Sequence, residues 1–123
     1  MDTQAIRTAF LNAPEKTQDV EIPDWLAPHL EPGTELAIKD VPGNELGRLQ
    51  KQWNKDPNMD DVTQTAALIV RCLMNKATGE LIFQPTDRDA IASLGGTKLV
   101  SLGMQIGEFF GFDKNALLNA KKN

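Results

Sequence analysis

The stretch "AALIVRCLM", residues 66–74, is apolar on nearly every side of a helix. A helix of this kind is expected to be buried at the centre of a domain. Asp60 and Asp61 precede it, and negative charge favours the positive end of a helix dipole, so the helix is expected to begin near Asn58. We expect it to run until Gly79 breaks it. The core of the fold is therefore predicted to form around this helix.

Helical spacing of apolar residues predicts further helices on both sides of the central one. Their expected ranges are 3–12, 44–56, 87–95, 98–112 and a closing helix over 113–121. Candidate N-caps are Asp2 or Thr3, Asn44, Thr86 with Asp89 in capping-box spacing, and Thr97. The first three of these ranges end at or shortly before a glycine or a proline.

Short extended segments account for the rest of the predicted structure. Apolar residues alternate around Val20 and Ile22 and again around Leu36 and Ile38, which indicates two strands able to pair as a hairpin. A third strand is expected over 80–85, and Trp25 and Leu26 are expected to hold the proline-rich connection between the first two. With 123 residues, we predict a single domain, 1–123, of mostly helical α+β class with about five helices and a small antiparallel sheet or hairpin.

Composition and charge exclude several classes of partner. The net charge is -4 and the isoelectric point is near 4.9, which argues against nonspecific binding to nucleic acid or to an anionic membrane. The longest uncharged runs fall well short of the ~20 apolar residues that cross a bilayer. A single cysteine allows no internal disulfide, and the first ten residues lack the basic region of a secretory signal, so a cytosolic location is expected.

No catalytic or metal-binding constellation is predicted. Cys72 lies in the most apolar helix and His29 in the proline-rich connection, so a nucleophile–base pair would need a contact that the sequence does not indicate. Zinc would have to find at least two carboxylate ligands besides these two residues. A calcium loop with Gly79 at its sixth position would require ligands at Met74 and Pro85. We therefore expect a non-enzyme without metal, cofactor or small-molecule substrate.

The most apolar surface candidate is "GEFFGFDKNALLNAKKN", residues 107–123. Its candidate partner contacts are Phe109, Phe110, Phe112, Leu117 and Leu118. Closure of the core is the alternative for Phe109 or Phe110, while the closing helix 113–121 is expected to be mobile or to dock on a partner. Gly103 and Gly107, four residues apart, are expected to let another element approach closely, either in the same chain or in a neighbouring subunit.

The order of these segments resembles a known family. The carrying segments are "VEIP", "TELAIKDV", "ELGRLQKQW" and "DDVTQTAALIVRCLMNKATGELIFQPTDRDAIASLG". Together they resemble the tail assembly chaperones of long-tailed, siphovirus-type bacteriophages over roughly residues 17–110. The family commonly has Asp and Gly in the turn after the apolar helix, and Asn75 and Thr78–Gly79 occupy that turn here.

The resemblance implies a protein that acts during phage tail assembly. Such chaperones bind the tape measure protein and help to recruit major tail (tube) protein subunits in the bacterial host cytoplasm, and they are not expected in the mature virion. Many also have a longer form made by ribosomal frameshifting, with which the ending "AKKN" is compatible. Self-association is expected because the partner is repetitive. The alternative is a minor structural tail or adaptor protein that stays in the virion.

Overall fold

The computed structural model describes residues 1–111. Within this range there are five α-helices: α1 (Thr3–Asn12), α2 (Gly43–Lys55), α3 (Asp61–Cys72), α4 (Arg88–Ala92) and α5 (Gly96–Phe110). The strands are β1 (Thr17–Asp19), β2 (Leu36–Lys39) and β3 (Leu73–Asn75), and 3₁₀ turns span Ala27–His29 and Pro85–Asp87. The predicted mostly helical α+β class is confirmed. The helix expected over 113–121 lies outside the described residues.

The three strands form an antiparallel sheet with β2 in the middle. The predicted pairing of the first two extended segments is confirmed. The strand β1 begins and ends earlier in the sequence than the alternation around Val20 and Ile22 predicted. Val20 follows β1, and its N–H still donates to the Leu36 carbonyl at 3.0 Å. Leu36, Ala37 and Ile38 of β2 are all buried, so both faces of the central strand are covered.

The central helix ends earlier than its apolar run predicted. Helix α3 ends at Cys72, and the chain passes directly into β3. In β3, Leu73 lies opposite Ile38 and Asn75 opposite Leu36. The expectation that the helix continues to Gly79 is therefore wrong, because hydrogen bonding to β2 replaces the last turns of the helix.

The third strand was also predicted in the wrong place. Of residues 80–85, Leu81 makes only an isolated bridge to Met74. Gly79 forms the turn between them: its φ is +75°, a conformation that suits glycine, and its N–H donates to the Asn75 carbonyl at 2.7 Å. Residues 80–82 therefore cover the edge of β3 and do not form a strand of their own.

Side-chain caps define the starts of three helical segments. Asp2 accepts from the Ala5 N–H and Asp60 from the Thr63 N–H, each at 2.7 Å. The capping box lies two residues before the predicted Thr86–Asp89 pair, because the Gln84 N–H donates to the Asp87 carboxylate at 2.8 Å. Pro42 is the residue at the start of α2 and Gly95 the one at the start of α5, so the predicted caps Asn44 and Thr97 are each two residues too late.

The core forms around α3, as the sequence predicted. Ala66 to Val70 and Cys72 are all buried, and α3 packs against α4 and α5. The most completely buried large side chains of the described range lie on α3 and β2: Ile38, Ile69, Val70 and Cys72. Helix α3 is thus the element on which the sheet and the other core helices are assembled.

Helix α5 holds the proline-rich connection against the body. Gln105 accepts from the Glu21 N–H at 2.8 Å and donates to the Glu21 carbonyl at 3.0 Å. The Trp25 indole N–H donates to the Ser101 hydroxyl at 3.2 Å, and the Lys98 ammonium lies 5.2 Å from the ring centroid of Trp25. Trp25 and Leu26 also pack against the core, which confirms their predicted role.

A Gly47→Ala substitution is expected to stabilise the protein. Gly47 lies inside α2, and a Cβ added there meets nothing within 4 Å. Alanine restricts the unfolded chain and favours the helix, so the free energy of unfolding should rise by about 0.5–1 kcal/mol. Urea denaturation followed by circular dichroism measures the change. An unchanged or lower midpoint would contradict an unobstructed helical position for Gly47.

Candidate partner-binding site

Helix α1 has no buried residue along its ten positions. Ile6 is 47% exposed and Phe10 is 83% exposed, although both are large and apolar. The two side chains lie one turn apart on the same side of the helix, with Ala9 beside them. We call Ile6, Ala9 and Phe10 the α1 face.

An unpacked helix of this kind is unusual because of its energetics. Burying a side chain the size of Phe contributes about 1.5–3 kcal/mol, and α1 leaves that contribution unused. Isolated helices shorter than about 12–15 residues are marginal in water, since their stability comes mainly from packing an apolar face. An N-cap such as Asp2 typically contributes about 1 kcal/mol to the stability of a helix. Helix α1 therefore has the chemistry of a docking element.

The end of α1 nearest the body is held close to the end of α5. Lys16, between α1 and β1, donates from Nζ to the Phe109 carbonyl at 2.8 Å. The same ammonium lies 4.6 Å from the ring centroid of Phe109, within range of a cation–π contact. These two contacts of Lys16 join the segment between α1 and β1 to the last turn of α5.

The predicted partner contacts at the end of α5 are more buried than the α1 face. Phe109 is only 4% exposed and belongs to the core, while Phe110 is half-buried against it. Their rings meet edge to face, with centroids 5.0 Å apart at 84°. A partner-contact role for Phe109 does not fit this burial, and closure of the core is the alternative that does. Phe112, Leu117 and Leu118 lie outside the described residues.

The two glycines of α5 face the interior. Gly103 and Gly107 are both buried, and a Cβ added at Gly103 would lie 3.2 Å from the Thr65 Cγ2 on α3. The element that approaches Gly103 closely is thus α3 of the same chain. At this position the intramolecular alternative of the two that the sequence left open applies.

The two residues with nucleophile or base chemistry differ in environment. Cys72 is buried, and desolvation raises the pKa of its thiol from the ordinary 9.0 to about 12. His29 is exposed in the first 3₁₀ turn. Among residues 1–111, no group of three or more His, Cys, Asp or Glu side chains is arranged to hold a metal ion.

The Cys72 thiol is expected to resist alkylation while the protein is folded. At pH 8 a thiol with a pKa of about 12 carries almost no thiolate, and the surrounding core excludes the reagent. Iodoacetamide should leave Cys72 unmodified in buffer and modify it fully in concentrated urea, as read by intact mass. The thiolate penalty also predicts stability that is complete below about pH 9 and declines as the pH rises toward 12. Rapid labelling of the folded chain would contradict both expectations.

A cleft lies between α2, α3 and α4. This open cleft of about 320 Å³ is lined by Trp53, Arg71 and Arg88, among others. Both arginines are already paired within the chain: Arg71 Nε lies 3.4 Å from Glu45, and Arg88 Nε lies 3.4 Å from Asp89. The cleft therefore presents fewer free donors than its composition suggests, and the α1 face is the stronger candidate.

Sequence reasoning predicted α1 as an amphipathic helix but did not identify its apolar side as a surface. The spacing of Ile6 and Phe10 was the only available signal, and it is shared by helices that pack on a core.

No helix within residues 1–111 is long and apolar enough to cross a membrane. Comparison with known proteins found no matching protein-family model, curated sequence or solved structure.

Proposed function

We propose that this protein is a non-enzymatic phage tail assembly chaperone that binds a tape measure protein and helps to recruit tail tube subunits around it. The observation that carries the proposal is the exposed α1 face, since the hydrophobic core of residues 1–111 includes no residue of α1. In this proposal the protein acts in the bacterial host cytoplasm and is released before the virion is finished.

The chemistry of α1 supports binding to a helical partner. An amphipathic helix with anchors at positions i and i+4 fits an apolar groove or another helix, which is a common mode of peptide recognition. A long partner presents many such sites, so a small binder gains from occupying them in several copies. The net charge of -4 keeps a protein with an apolar face soluble between encounters. Residues 17–110 carry the family resemblance, and α1 lies before them.

Co-expression tests the proposal directly. The probe is a tape measure protein, which the proposal expects to be long, helix-rich and encoded downstream of this gene, expressed in bacteria with and without the chain. We expect the long protein to be soluble and to co-purify with this chain when both are present, and to sediment when it is alone. Equal solubility of the long protein with and without the chain would overturn the chaperone role.

Mass spectrometry of purified virions separates this proposal from the structural alternative. A chaperone is expected to be absent from finished particles or present far below the level of the tube protein. Stoichiometric amounts in the particle would instead identify a minor tail or adaptor protein.

A further inference from the structure

The cleft between α2, α3 and α4 has an apolar part and a polar part. Leu49 of α2 and Ala67 of α3 are buried residues of its lining, and Trp53 packs half-buried against the hydrophobic core. The volume of about 320 Å³ lies at the lower end of the range of about 300–1,000 Å³ that is usual for ligand sites. The cleft is therefore of a size to take a large apolar side chain of a ligand.

The guanidinium of Arg71, in the polar part, is held in place by two contacts within its own chain. Its Nε lies 3.4 Å from Glu45 Oε1, and its Nη1 donates to the Ala67 carbonyl at 2.9 Å. These contacts leave Nη2 of Arg71 without a partner among residues 1–111. A guanidinium that the protein already holds loses little conformational freedom when it binds a ligand.

The other polar groups of the lining are mainly unused hydrogen-bond donors. Arg88 makes one contact, from Nε to Asp89 Oδ1 at 3.4 Å, and within the described residues both of its Nη groups are unpaired. The side chains of Gln52 and Thr86 and the indole N–H of Trp53 also have no hydrogen-bond partner in that part of the chain. The ion pairs of the two arginines thus occupy only part of the donors in the cleft.

The charge of the cleft differs in sign from that of the whole protein. Its lining contains the cations Arg71 and Arg88 and the anion Asp89, whereas the chain has a net charge of -4. A carboxylate matches such a lining, because its oxygens accept charge-assisted hydrogen bonds from guanidinium N–H groups. One carboxylate balances the single net positive charge, while a phosphate monoester of charge near -2 would exceed it.

We propose that this cleft binds a peptide segment of a partner protein in which a large apolar residue stands next to Asp or Glu. The apolar side chain packs against Leu49 and Trp53, and the carboxylate accepts hydrogen bonds from the free Nη groups of the two arginines. The inference goes beyond the chaperone role and does not rest on it, since no residue of the α1 face lines the cleft.

An NMR titration of the full chain tests the site with acetylated, amidated pentapeptides as probes. Gly-Glu-Leu-Glu-Gly places an acid on each side of the leucine, Gly-Gln-Leu-Gln-Gly removes the charge, and Gly-Glu-Ala-Glu-Gly removes the large apolar side chain. The first should bind at least about fivefold more tightly than either of the others. It should shift the indole N–H signal of Trp53 and leave that of Trp25, which lies against α5, in place.

Arg88→Gln is the variant for this experiment, and Arg48→Gln is its matched control. Both substitutions remove one positive charge, but Arg48 is an exposed residue of α2 outside the cleft lining. Arg88→Gln should weaken binding of the acidic leucine peptide at least about fivefold, and Arg48→Gln less than about twofold. Circular dichroism should show the same thermal unfolding for both variants and the wild-type chain, because the one side-chain contact of Arg88 is with an exposed neighbour.

Four results would overturn the inference. The first is an unshifted Trp53 signal at millimolar peptide, and the second is equal binding of the charged and uncharged leucine peptides. The third is a loss below fivefold in Arg88→Gln or an equal loss in Arg48→Gln. The fourth is an equal shift of the same signals by inorganic phosphate, which would assign the cleft to a small anion. These outcomes are independent of the co-expression and virion experiments, because no tape measure protein or virion is used.

Discussion

A Phe10→Ala variant is expected to bind its partner about 30- to 700-fold more weakly than the wild-type chain, the equivalent of losing about 2–4 kcal/mol at a central aromatic anchor. Phe10 is the one aromatic residue of α1, is 83% exposed and does not belong to the hydrophobic core cluster. The free energy of unfolding of the body should therefore hardly change. Calorimetric titration of both chains with a soluble fragment of the partner measures the loss.

Leu11→Ala is the matched control for this experiment. Leu11 is also a large, exposed apolar residue of α1, at 67%, but it points about 100° around the helix from Phe10. Its removal should change the dissociation constant by no more than about threefold, as expected for a contact outside an anchor cluster. Equal losses in the two variants would mean that binding follows general hydrophobicity, and wild-type affinity of Phe10→Ala would remove the α1 face from the interface.

An Ile69→Ala variant is expected to lose about 2–5 kcal/mol of unfolding free energy, the range for truncating a fully buried aliphatic side chain. Ile69 is 0% exposed in α3 and belongs to the hydrophobic core cluster. Urea denaturation, followed by the circular dichroism of the helices, gives the difference.

Val62→Ala in the same helix provides the comparison. Val62 is 43% exposed in the first turn of α3, so its truncation should cost less than about 0.5 kcal/mol. Similar losses at positions 62 and 69 would contradict a core centred on the buried side of α3. A small loss at position 69 alone would show that the site collapses around the smaller side chain.

Helices with strong local signals were predicted within a few residues. The range 3–12 is observed as α1, and Asp2 caps it. The apolar stretch from residue 66 is the core helix, because a helix that is apolar on all sides can only be buried. Caps and apolar periodicity act between residues a few positions apart, so a sequence read by itself contains them.

The third strand depended on distant residues, and the capping box depended on a choice between two nearby acids. Leu73 and Asn75 have the composition of a continuing helix, and only their pairing with β2 makes them a strand. Asp87, in place of Asp89, completes the capping box, since its carboxylate accepts from the Gln84 N–H at 2.8 Å. Neither choice has a local signal that outweighs its competitor.

In the candidate site too, part of the outcome follows from local sequence and part from contacts made in the tertiary structure. The sequence favoured residues 109–118 as the partner surface and did not single out residues 3–12 for that role. Burial decided otherwise for Phe109, which the core absorbs beside Lys16, while Phe10 remains exposed.

The sequence by itself determined which segments of residues 1–111 are helical, that α3 is central, and that residues 107–123 carry more apolar side chains than a terminal helix usually needs. Only the tertiary structure decided that β3 replaces the end of that helix and that α1, not Phe109, presents its apolar side outward. The reason is physical: amphipathic spacing records that a face is apolar, whereas what covers that face depends on which distant elements reach it first and leave the least area exposed.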